Sequence, residues 1–119
     1  MEKPSLPKGT RDFGPGQMAK RQFIMETIRA VFQKYGFMPL ETPAMENMDT
    51  LTGKYGDEGD QLLFKVLNSG DFLKDVESKK IEARDSKQVS AEIADKGLRY
   101  DLTVPFARYV VMNRQDIAL

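Results

Sequence analysis

At 119 residues the chain has room for one domain and not for two full ones. Hydrophobic residues make up 40% and charged residues 30%, a soluble globular balance, and 18 basic residues cancel 18 acidic ones. That cancellation excludes a global field drawing the whole segment onto nucleic acid or an anionic membrane. Cysteine and histidine are both absent, which excludes a disulfide scaffold, a thiolate metal site and imidazole-dependent catalysis within this chain.

The first residues, 1–7, lack the apolar run of a signal peptide, and no apolar stretch approaches membrane-spanning length. A cytoplasmic location is the expectation. Residues 1–16 read as an extended lead-in punctuated by Pro4, Pro7, Gly9, Gly14, Pro15 and Gly16. From 17 to 35 the pattern turns helical: Ile24, Ile28, Val31, Phe32 and Tyr35 form one apolar stripe, with Lys20, Arg21, Glu26, Arg29 and Lys34 largely off it. Gly36 follows at once as a natural helix stop.

Residues 37–41 read as a short strand. Pro39 and Pro43 cannot donate to a ladder, so it is expected at an edge or irregular there. Residues 45–51 suggest a short helix ending near Gly53, and 54–60 a polar loop. A second strand is expected over 62–67, closed by the turn residues Asn68, Ser69, Gly70 and Asp71. Half of residues 71–96 are charged, which suggests one or two surface helices with a mobile stretch over 78–87.

A third strand over 98–102 is expected to pair antiparallel with the second across that charged stretch. Residues 103–113 then read as a helix that tolerates Pro105 in its first turn. The fold class is therefore α+β with an antiparallel sheet flanked by helices and a charged helical insertion over 71–96. Nothing near Leu119 reads as the close of a domain.

Two apparent motifs fail on inspection. Gly53-Lys54 resembles the end of a phosphate-binding loop, yet Met48 stands where its first glycine belongs and Tyr55 where its Ser or Thr belongs. Asp57, Glu58 and Asp60 lack the spacing of a calcium loop and read as a solvated turn, so no metal site is identified.

The strand-to-helix junction is more informative. Residues two apart on a strand share a face, so Asp101 and Thr103 are placed to converge as the strand ends. A carboxylate beside a hydroxyl makes a seat for a small ammonium group, because both accept its hydrogen bonds. The alternative is structural: Thr103 caps the helix and Asp101 favours its N-terminal dipole. Arg99 and Arg108 are either anion ligands or surface ion-pair partners. The unit over 17–46 is either core packing or an interface.

Three stretches together resemble the histidyl-tRNA synthetases, a family of class II enzymes. Pro7-Lys8-Gly9-Thr10-Arg11-Asp12-Phe13 is similar to the family's N-terminal signature. The helix followed by Tyr35-Gly36-Phe37-Met38-Pro39-Leu40-Glu41-Thr42-Pro43 resembles class II motif 1, the dimer-forming helix–strand unit around 17–46. Leu98-Arg99-Tyr100-Asp101-Leu102-Thr103-Val104-Pro105-Phe106-Ala107-Arg108-Tyr109 matches a segment particular to histidyl enzymes.

The resemblance implies that residues 1–119 are the N-terminal part of a catalytic domain. It implies that Asp101 and Thr103 hold the α-amino group of substrate histidine, and that Tyr35, Gly36, Phe37 and Pro43 belong to a homodimer interface. It further implies histidine, ATP with Mg2+, and tRNA as substrates of the full-length enzyme. Motif 2, motif 3 and the anticodon-reading domain fall beyond Leu119 in the family, so no catalytic residue, no cofactor binding and no aminoacylation are expected of this chain alone. The nearest rival is the synthetase-like, histidine-sensing regulatory subunit of ATP phosphoribosyltransferase. A rival of another class is a stand-alone α+β interaction module.

Overall fold

The computed structural model describes residues 3–54 and 56–117; Met1, Tyr55 and Leu119 lie outside them. The chain divides into two compact units, residues 1–40 and 41–119.

The first unit is a lead-in and one long helix. Thr10 closes a turn at Pro7, through both its backbone N–H and its hydroxyl. Helix α1 runs Pro15–Lys34, with Gly14 as N-cap and proline in its first positions. It starts two residues before the apolar stripe announces it, because a proline with φ preset costs nothing where the N–H has no partner.

The helix ends where Gly36 demands it. Gly36 takes φ +81, its N–H donates to Gln33 O, and the Phe37 N–H reaches back to Phe32 O at 3.2 Å. This pair of bonds is a Schellman stop, and it carries the expected apolar contact: Phe32 and Phe37 meet edge to face at 5.2 Å.

Beyond the stop, residues 37–41 form no strand, correcting that expectation. Pro39 and Pro43 withhold their donors and no described strand offers this stretch a ladder. Pairing begins instead at β1, Met45–Asn47, which occupies the first half of the expected helix; α2, Met48–Leu51, occupies the second.

The expected loop over 54–60 is largely helical, as α3, Gly56–Leu62. The Asp60 carboxylate accepts from the Gly53 N–H at 2.9 Å, tying the helix back to the turn that precedes it. The second strand, β2, is only Lys65–Val66, since Leu62 belongs to α3 and Leu63 turns into the core.

The charged stretch holds two helices, α4 (Ser78–Glu82) and α5 (Ser86–Ile93), and α4 lies in the part expected to be mobile. The Asp85 side chain caps α5 by accepting from the N–H groups of Lys87 and Gln88. Lys80 of α4 donates to Glu92 of α5, a contact that raises the lysine above its ordinary pKa. Asn68 pins the base of the excursion: its N–H donates to Ile93 O and its side-chain oxygen accepts from the Asp95 N–H.

The third strand, β3, is Lys96–Leu98, two residues earlier than expected, and helix α6 follows as Thr103–Met112. The sheet order is β1-β3-β2, antiparallel throughout, with Glu46 opposite Gly97 and Lys65 opposite Gly97. The pairing of second and third strands is as expected; that of the third with β1 is additional.

Gly97 sits at the centre of this sheet for a steric reason. A Cβ there would stand 2.8 Å from Met48 Sδ, 3.0 Å from Phe64 O and 3.2 Å from Leu51 Cδ1. Glycine lets α2 lie directly on the middle strand, and Leu51 is fully buried as a result. Leu63, Ala94 and Pro105 are buried with it.

Candidate functional site

Strand β3 passes to α6 through residues 99–102, and the two ends of this junction are held differently. Arg99 continues the ladder by one bond, its N–H donating to Ala44 O at 2.9 Å. Its guanidinium Nη1 donates to Thr42 O at 2.8 Å and to Thr42 Oγ1 at 3.1 Å. Of its two sequence readings, neither describes this: Arg99 clamps neutral backbone oxygens of residues 42–43.

At the other end, Arg108 of α6 grips Glu46 of β1. Nε donates to both carboxylate oxygens at 2.8 and 2.9 Å, and Nη2 lies 2.8 Å from Oε1. The Glu46 side chain is only 5% exposed, so its charge is stable there only because the planar fork meets it. The pair fastens the first turns of α6 to the edge of the sheet. Arg108 is thereby an ion-pair partner, but of a buried carboxylate and not at the surface as expected.

Between these two anchors stand Asp101 and Thr103, both exposed. They do not share a strand face, because the strand has ended at Leu98. A bend brings them together: Asp101 Oδ1 accepts from the Thr103 N–H at 3.0 Å. Leu102 is the N-cap and offers no side-chain bond, so the Asp101 carboxylate caps the helix and the Thr103 hydroxyl does not. The structural alternative therefore holds for Asp101 and fails for Thr103.

A carboxylate has about four acceptor directions and can accept from more than one donor at a time. The arrangement presents a carboxylate next to a hydroxyl at an exposed helix start, held from both sides by part-buried arginine contacts.

The motif 1 residues divide between the units. Tyr35, Gly36 and Phe37 are the C-cap and the two following positions of the Schellman stop, and Tyr35 is 79% exposed. Pro43 lies in the second unit, its carbonyl 3.5 Å from Arg99 Nη1.

Glu46, Thr42 and Gly97 were not singled out from the sequence. An isolated glycine just ahead of an alternating strand is a signal of close backbone approach. Glu46 has no such signal, since its partner lies 62 residues away.

A family model described as histidyl-tRNA synthetase matches residues 9–76. The histidine–tRNA ligase of Cytophaga hutchinsonii is 67% identical over 117 residues, covering 98% of this chain and 26% of its own. That of Phocaeicola vulgatus is 56% identical over 116 residues, with 98% and 26% covered. Among solved structures, the crystal structure of histidyl-tRNA synthetase from Nostoc sp. PCC 7120 matches with a TM-score of 0.65 and 28% identity, over 97% of this chain and 22% of that one. The chain spans about a quarter of the length of the curated relatives it matches.

The fold, antiparallel strands flanked by helices, is part of a class II aminoacyl-tRNA synthetase core. Within that class, the chain belongs to the histidyl-tRNA synthetase family.

Proposed function

We propose that the full-length protein carrying this chain attaches histidine to its cognate tRNA at the expense of ATP, and that Asp101 and Thr103 hold the α-amino group of the histidine. The observation that carries the reading is the exposed carboxylate–hydroxyl pair at the start of α6 in a chain of this family. The relatives described above are named as ligases, which favours the enzyme over the regulatory subunit.

In the first step, the substrate carboxylate attacks the α-phosphorus of ATP, forming an acyl phosphate bond as pyrophosphate leaves. A carboxylate attacks productively only when its own ammonium is held still, and a charged acceptor beside a hydroxyl does that by orientation. ATP enters with Mg2+ as a substrate pair.

The same proposal assigns residues 1–119 to the N-terminal part of the catalytic domain, with 71–96 as an insertion between paired strands. It places Tyr35, Gly36, Phe37 and Pro43 at a homodimer interface, and the enzyme in the cytoplasm. The chain alone is expected to catalyse no ATP–pyrophosphate exchange.

Steady-state exchange by the full-length protein tests the site. Asp101→Asn keeps an oxygen for the Thr103 N–H and removes the charge. It should raise KM for histidine by about 10- to 100-fold, the value of a hydrogen bond to a charged group, with KM for ATP little changed. An unchanged histidine KM in Asp101→Asn and Thr103→Val together would remove the assignment.

A further inference from the structure

The overall neutrality of the chain conceals a local concentration of charge. From Lys3 to Arg21 there are five cations, Lys3, Lys8, Arg11, Lys20 and Arg21, and a single acid, Asp12. The structure gathers three of these cations. Arg11 lies 4.7 Å from the centroid of the Phe13 ring and Arg21 lies 4.0 Å from it. Arg11, Phe13, Gln17, Lys20 and Arg21 line one open depression of about 210 Å³.

Stacking on one ring explains how the lead-in is held to α1, since each cation–π contact is favourable by about 0.5–1 kcal/mol at an exposed site. It does not explain why two guanidinium groups share that ring. Like charges this close repel each other, and a purely structural staple would need only one. None of Arg11, Lys20 and Arg21 has an ion pair among the described residues, and the first turn of α1 carries no acid. A fixed cluster of uncompensated donors in a concave surface is complementary to a multiply charged anion.

We infer that Arg11, Lys20 and Arg21, mounted on Phe13, form a binding site for the phosphodiester backbone of RNA. The choice of ligand follows from the ring. Both arginines already occupy Phe13, so it is no platform for an unpaired base. What remains is guanidinium and ammonium donors, which contact phosphate oxygens and carry no sequence information. The site therefore grips backbone, and a duplex suits it as well as a single strand. It extends the proposed function to the RNA substrate and is independent of Asp101 and Thr103.

The test is fluorescence anisotropy of this chain with a fluorescein-labelled 12-base-pair RNA duplex over a series of salt concentrations. Wild type should bind with affinity that falls as salt rises. Arg11→Ala/Arg21→Ala should weaken binding about tenfold at low salt and make the slope of log Kd against log salt shallower by about two. Arg11→Lys/Arg21→Lys should keep the slope, which separates loss of charge from loss of folding. Lys79→Ala/Lys87→Ala, with the same charge change on α4 and α5, should bind like wild type. No binding by wild type, or an equal loss in the α4–α5 control, would overturn the site. So would equal affinity for a labelled polyglutamate of matched charge, which would mark a surface for acidic protein. Histidine-dependent exchange by the full-length protein, measured with the same arginine variants, reads the amino-acid site separately: RNA binding can fail while that activity stands.

Discussion

Helices α1 and α6 carry similar sequence patterns and meet opposite fates. Each carries apolar residues along much of its length. Helix α6 is fastened to the sheet: Pro105 is fully buried, and Arg108 reaches Glu46 across the packed face. Helix α1 buries no residue at all, and Ile24, Ile28, Val31 and Phe32 remain about half exposed. An apolar stripe therefore says that a face is to be covered and leaves open by what. What distinguishes the two is a long-range polar pair, which a helix pattern does not contain.

The largest effect should come from breaking that pair. Arg108→Met strands the Glu46 carboxylate in a buried position and should cost about 3–5 kcal/mol in urea unfolding followed by circular dichroism. Replacing both residues, Glu46→Leu with Arg108→Met, should recover most of the loss, because a buried ion pair and its apolar substitute are often close in stability. If the single and double variants unfold alike, the pair is not what anchors α6.

A smaller loss is expected at the sheet centre. Gly97→Ala places a methyl group against Met48 and the Phe64 carbonyl oxygen. The sulfur can swing aside and the backbone oxygen cannot, so the cost should be about 1–3 kcal/mol. A midpoint equal to that of wild type would mean that α2 does not sit directly on β3.

On α1 the expected sign is different. Ile28→Asp removes nothing from a packed core, so the midpoint should move by no more than about 0.5 kcal/mol. Association is where it should act. The exposed stripe, with Tyr35 and Phe37 beyond its end, is of the kind that pairs with another chain. Light scattering of wild type at high concentration should show self-association, and Ile28→Asp should reduce it. A strictly monomeric wild type would count against the homodimer assignment.

These differences also explain what was legible in the sequence. Helix α1 and its stop at Gly36 were readable because their determinants are local, an apolar period and a glycine at the end, although Pro15 was read as lead-in and not as the helix start. Helix α6 and the antiparallel pairing of the strands flanking the charged stretch were readable for similar reasons. Strand β1 was not, since its central residue is a buried glutamate whose partner lies on α6. Helix α3 was not, because Gly-Asp-Glu-Gly-Asp is the composition of a turn, and it is held instead by the Asp60 bond to Gly53. At the candidate site the geometry differs from the one expected. Strand alternation was to bring Asp101 and Thr103 together, whereas a bend and one hydrogen bond to the backbone do so.

The account turns on whether that pair recognises an ammonium group. The direct test is a comparison of two ligands, histidine and its analogue lacking the α-amino group, binding to the full-length protein by calorimetry. Wild type should prefer histidine by about 10- to 100-fold, and Asp101→Asn with Thr103→Val should bind both almost equally. A preference that survives in the double variant would place the amino group elsewhere and contradict the assignment.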